Sequence, residues 1–163
     1  MAVAVMAVTV RRATVYDAAL IAALNADVQA LHAAALPWRF KPPRAEAPPY
    51  AEATAWLGNP ASLVFVADFA GEPAGYVYAE VNQRPETSLS YAFASIYIHH
   101  ISVRPAHRRK GVSTALIATL RAAGRQLGID VLALDVWTFN DEARAFFRRH
   151  GFTAYNERLW SRA

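Results

Sequence analysis

Apolar residues recur at two periods along the chain, and the changes of period predict its elements. Thr9 to Arg12 reads as a short strand. Leu20, Ile21, Leu24, Val28 and Leu31 then repeat at helical spacing through Ala35, behind Thr14 as a cap, and Pro37 ends that helix. Residues 36–49 hold five prolines together with Trp38 and Phe40, which predicts a structured loop because the aromatics need a surface to pack on. A second helix is expected over Tyr50 to Leu57, closed by Gly58, Asn59 and Pro60. The run SLVFVADFAGEPAGYVYAEV reads as an antiparallel hairpin around a Gly-Glu-Pro turn. A polar loop at 82–90 leads to a strand from Tyr91 to Val103. Val112, Leu116, Ile117 and Leu120 mark a helix over Gly111 to Leu127 that Gly128 closes. VLALDVW reads as a buried strand, Asp141 to His150 as a helix stopped by Gly151, and Phe152 to Trp160 as a final strand. The order is β, α, α, β, β, β, α, β, α, β, and residues 91–137 have the shape of a βαβ crossover.

Composition narrows this picture. The 163 residues suggest one domain over 1–163, and 55% hydrophobic content with four Trp, seven Tyr and eight Phe excludes disorder. There is no cysteine, so disulfides, thiolate metal sites and a Cys nucleophile are excluded, and no metal is expected. The opening MAVAVMAV is apolar but lacks a basic flank and is too short for a bilayer. It reads as a ragged leader to the first strand, and no later stretch is expected to reach membrane length. The expected location is cytoplasmic. The net charge of +4 suits an anionic ligand. Nucleic acid is not expected, since the basic residues form no long run and no nucleic-acid-binding motif is legible.

The richest local chemistry is RPAHRRKGVSTAL, directly after the strand ending at Val103. A strand delivers a basic loop to the start of a helix, whose free amides and positive dipole end suit a pyrophosphate. Gly111 allows close backbone approach. Arg108, Arg109 and Lys110 add charge, while Ser113 and Thr114 add hydroxyl donors. By itself such a loop is more often solvated surface, and neither GxxxxGK nor GxGxxG is present.

The run ISVRPAHRRKGVSTALI resembles the acetyl-CoA-binding motif of GNAT superfamily N-acetyltransferases. Arg108, Gly111 and Ser113 fall on the three positions of (Q/R)-x-x-G-x-(G/A), with Ser113 in place of the usual Gly or Ala. LALDVWTFNDEARAFFRRHGF is similar to the family's later block, with Asn140, Ala143, Phe146, Phe147, Gly151 and Phe152 in register, and VRRATVYDAALIAALN is similar to its first strand and helix. The resemblance implies an α/β fold: a twisted mixed sheet of about six or seven strands, helices on both faces, and central strands that splay to admit acetyl-CoA. It implies that Ile101, Ser102 and Val103 hold the pantetheine arm and thioester. It also implies that backbone and side chains from Arg108 through Val112 to Thr114 hold the pyrophosphate, and that Asn140 and Phe147 touch the cosubstrate.

Acyl transfer needs a neutral amine and a polarised thioester carbonyl. Without cysteine, direct attack by the amine is the economical route, and a backbone N–H near Ile101 would polarise the carbonyl. Deprotonating an alkyl amine costs roughly 4–5 kcal/mol at pH 7, so a base helps, and His suits that task. Strand alternation sets His99 and His100 on opposite faces, with His99 sharing a face with Tyr97 and Ile101. His99 is therefore the candidate base, Glu80 a second candidate, and His100 structural; a cleft residue without catalytic work remains the alternative for His99. Many relatives carry a Tyr that protonates the leaving thiolate where this chain has Phe147. Tyr155 or Tyr97 could substitute, or could simply be core. The resemblance places His32, Trp38, Phe40 and Tyr50 in or near the region that shapes the family's acceptor sites; with Tyr97 they suggest an aromatic acceptor pocket, against the alternative that the aromatics pin the Pro-rich loop.

The resemblance thus implies acetylation of a small-molecule amine or amino-acid derivative, with a homodimer allowed. A protein N-terminus or lysine as acceptor is the second reading, and a non-catalytic acyl-CoA sensor, favoured by Phe147, the third.

Overall fold

The computed structural model describes residues 7–44 and 50–162. Met1 to Met6 of the apolar leader and residues 45–49 of the Pro-rich loop lie outside the described residues. Nine elements besides two short 3₁₀ turns follow in the order β1 (Val8–Arg12), α1 (Ala18–Ala35), α2 (Tyr50–Gly58), β2 (Ser62–Phe69), β3 (Glu72–Arg84), β4 (Phe93–Val103), α3 (Val112–Leu127), β5 (Leu132–Leu134) and α4 (Asp141–Arg149). The strands form one sheet in sequence order, antiparallel from β1 to β4 and parallel between β4 and β5. The parallel pair forces the crossover through α3.

Each sheet face buries its own cluster. Val77, Ala79, Ile96 and Ile98 pack under Leu116, Ile117 and Leu120 of α3 and Phe147 of α4. Val64, Val66, Tyr76 and Tyr78 on the opposite face pack against Ile21 and Leu24 of α1 and Ala53 of α2. α1 begins after a 3₁₀ turn at Val15–Asp17, where the Asp17 carboxylate accepts from the Thr14 amide (2.8 Å) and from Arg11 (2.7 Å). By length and composition Val15–Ala35 is apolar enough to cross a membrane, contrary to the sequence expectation. In this fold Ile21, Leu24 and Asn25 bury that helix against the sheet.

Three further expectations change. The hairpin turn is Ala70–Gly71, both at positive φ (52° and 85°), and Glu72 and Pro73 already belong to β3. The buried strand VLALDVW shrinks to three half-buried residues. Residues 152–162 form no strand, so among the described residues the sheet has five strands rather than six or seven. A strand needs a neighbour to satisfy its ladder, and this polar-rich segment instead runs exposed, with Trp160 laid on Trp38 at 5.1 Å.

Candidate active site

β4 pairs with β5 only at Ile96 to Ile98. Beyond Ile98 the two strands part, and residues 99–103 have no strand on that side. The opening continues into a cleft of about 800 Å³ lined by Ile101, Ser102 and Val103 of β4, by the loop and first turn of α3, and by Phe139, Asn140 and Phe147. Gly75 makes this stretch of β4 possible. A Cβ there would lie 2.5 Å from the Ser102 carbonyl oxygen, so only glycine lets β3 run so close.

The basic loop forms the cleft's anion-binding end. Arg109 (φ 62°) and Gly111 (φ 83°) both take left-handed conformations just ahead of α3, a backbone form that suits anion binding by main-chain amides. A Cβ on Gly111 would meet no protein atom within 4 Å, so the glycine faces open space. Arg108, Val112, Ser113 and Thr114 line the same cleft. Lys110 turns away, its ammonium 4.8 Å from the Phe69 ring centroid. Asn140 caps α4 by accepting from the Ala143 amide at 3.0 Å, which leaves its own amide nitrogen available. Phe147 is 7% exposed and packs in the core at the cleft wall. Donors, left-handed amides, an open sheet edge and a long cleft together fit a nucleotide thioester. Among the described residues no group of three His, Asp or Glu could hold a metal.

A β-bulge sets the chemistry beside the open edge. Tyr78 pairs with His100 and Ala79 with Ile98, so His99 is the extra residue. The bulge defeats simple alternation. His99 and His100 both meet Tyr78 on the α1–α2 face, while Ile98 and Ile101 pack on the other. The expectation of opposite faces, with His99 beside Ile101, is therefore corrected.

The two imidazoles have different partners. His99 Nε2 lies 3.0 Å from Glu80 Oε2. Glu80 Oε1 accepts from the Tyr78 hydroxyl at 2.6 Å and from Asn59 Nδ2 at 3.1 Å. The Tyr78 hydrogen bond, followed by those of His99 and Asn59, holds the Glu80 carboxyl below its ordinary range despite burial. An ionised carboxylate only accepts, so His99 Nε2 donates, and in the neutral imidazole the lone pair is then on Nδ1. His100 Nδ1 lies 3.2 Å from the Tyr76 hydroxyl, which accepts from Asn25 Nδ2 at 2.6 Å. That hydroxyl proton therefore points at His100, whose Nε2 carries the hydrogen. Burial, then His99 and His32, push the His100 pKa down to about 4.

Two further groups of aromatic side chains lie near the cleft and the bulge. His32 packs on Phe40 (5.1 Å), Trp137 (6.3 Å) and Phe139 (6.0 Å), and burial lowers its pKa. Trp56 stacks on Tyr78 and meets His100 edge-on at 5.1 Å. Tyr97 meets His99 at 5.0 Å. Burial, then Asp135, raises the pKa of Tyr97. Trp38 leaves this group for Trp160. Tyr155 is 87% exposed and makes no hydrogen bond to these residues. Sequence reasoning missed Asn25, Trp56, Asn59, Tyr76, Tyr78, Trp137 and Phe139. Trp137 and Phe139 flank the Asn140 motif, which could have flagged them; the others need the sheet register.

The family model described as "Acetyltransferase (GNAT) family" matches residues 29–152. The chain belongs to the GNAT acetyltransferases. A curated relative from Lactobacillus delbrueckii subsp. lactis, an "uncharacterized N-acetyltransferase", is 25% identical over 104 residues, 64% of this chain and 59% of its own length. The chain therefore spans less than two thirds of that relative. A crystal structure of a mutant Bacillus halodurans protein aligns with TM-score 0.87 at 23% identity, over 95% of this chain and 99% of its own. Aminoglycoside N-acetyltransferase AAC(6')-Iy in complex with CoA aligns with TM-score 0.73 at 18% identity, over 96% and 95%. The GNAT fold accounts for the mixed sheet, the splayed β4 and β5 and the loop before α3.

Proposed function

We propose that this GNAT protein transfers an acetyl group from acetyl-CoA to a small-molecule primary amine by direct attack. The observation that carries the proposal is the His99–Glu80 pair at the point where β4 leaves β5. Glu80, anchored by Tyr78 and Asn59, orients His99 as a neutral base, so it is a positioning residue rather than a second base. His99 Nδ1 takes the proton that the attacking ammonium must lose, directly or through one water. Free backbone N–H groups of residues 99–103 face the thioester oxygen as charge builds there. Arg108, the turn through Gly111, and Ser113 hold the diphosphate. Phe147 carries no hydroxyl, Tyr155 is exposed and Tyr97 faces His99 and Asp135, so in this reading the thiolate leaves to solvent, at about 1.5–2 kcal/mol for a thiol of ordinary acidity.

Thiol release from acetyl-CoA, followed with a panel of small amines and a panel of peptides, tests the reading. Turnover with amines alone supports it. Turnover with peptides alone moves the function to protein acetylation. Acetyl-CoA binding without any turnover makes the protein a sensor.

A further inference from the structure

We infer that the acceptor is a monoamine with an aromatic body, not a polycation. The inference rests on the small-molecule reading above. Two aromatic groups lie near the two histidines. Trp56, Tyr78 and Tyr97 touch them directly. Phe40, Trp137 and Phe139 gather around His32, which is near enough to His100 for its charge to act there, and these four rings remain half-buried with free surface. Phe139 also lines the cleft with Ile101 to Val103, so the aromatic wall borders the acetyl position. Such rings offer flat apolar area to another ring.

The charges around these walls oppose a polyamine. Arg39 lies over Trp137 (5.1 Å) and Phe40 (5.9 Å), placing a fixed positive charge on the aromatic wall. Glu80 is occupied by Tyr78, Asn59 and His99. Asp27 lines the cosubstrate cleft together with Val28, Ile101 to Val103 and Arg108, and is not among the residues packed around His32. Asp135 is exposed and already beside Tyr97 and Arg158. At the aromatic rings, among the described residues, a second ammonium meets Arg39 and the carboxylates of the cleft lie with the cosubstrate, whereas a single amine with a ring meets aromatic surface and a base.

The test compares 2-phenylethylamine, n-butylamine, spermidine and kanamycin as acceptors for the intact protein, with tryptophan quenching as a direct binding readout. The phenyl compound should exceed n-butylamine in kcat/KM by about 10–100-fold, the gain from burying one ring. In Trp137→Ala that ratio should fall at least tenfold, and in Arg39→Ala spermidine should gain relative to 2-phenylethylamine. Equal or better use of spermidine or kanamycin, or an unchanged ratio in Trp137→Ala, overturns the inference and leaves the acetyltransferase reading standing. No turnover of any small amine, with acetyl-CoA still raising Tm, overturns both.

Discussion

His99 and His100 are neighbours in sequence that project from the same face of β4, and Tyr78 touches both rings, with centroids at 4.8 and 5.8 Å. The bulge at His99 produces this arrangement, and their hydrogen bonds then separate their work. Glu80 leaves neutral His99 with its lone pair on Nδ1, and Tyr76 leaves His100 as a donor at Nε2.

His99 should therefore carry the acid-side fall of the rate. With a high-pKa amine, His99→Ala should lose about 10²–10⁴-fold in kcat/KM and the acidic limb with it. His100→Asn should keep the limb. A pH–rate profile of both variants decides, and a limb retained in His99→Ala would assign the base elsewhere.

Glu80→Gln should lower kcat by about tenfold without abolishing it, because the amide still fills the site but no longer fixes His99 as the Nε2–H tautomer. A loss as deep as that of His99→Ala would make Glu80 the base instead.

His100 gives a stability signature. Its folded pKa of about 4 lies below the ordinary 6.5, so the unfolded chain takes up a proton that the folded chain refuses. Stability should fall as pH drops from about 6.5 to about 4, then stop falling on this account, with a total of up to about 3 kcal/mol. Denaturant melts of the wild type and His100→Asn across that window measure the difference, and identical slopes would remove the assignment.

Two glycines separate folding from binding. Gly75→Ala forces a Cβ to 2.5 Å from the Ser102 oxygen and should cost roughly 1–3 kcal/mol in stability. Gly111→Val meets no protein atom but must hold a left-handed conformation, at about 1–2 kcal/mol, while its side chain fills the anion's approach. CoA affinity by calorimetry should fall more than tenfold in Gly111→Val, well beyond any change in Tm.

The sequence made the frame legible where local rules suffice. The apolar repeat of α3, its closing Gly128 and the strand–loop–helix around Gly111 all appear in place. What it could not show depends on partners distant in the chain. Two consecutive histidines read as opposite faces until the register with Tyr78 and Ala79 is known. Phe152 to Trp160 has strand-forming residues, yet a strand exists only where a neighbour accepts its ladder. The pairing of Asn25 with Tyr76 joins residues 51 apart.

The short pairing of β5 leaves one side of β4 unfinished beyond Ile98. Those peptide groups lack a strand partner on that side, and an extended amide-bearing ligand can supply the partners that a further strand would have given. Binding then completes secondary structure as well as filling a cleft. Deuterium uptake at residues 99–103 should accordingly slow when the cosubstrate is present, making this open edge of β4 the region whose protection reports occupancy.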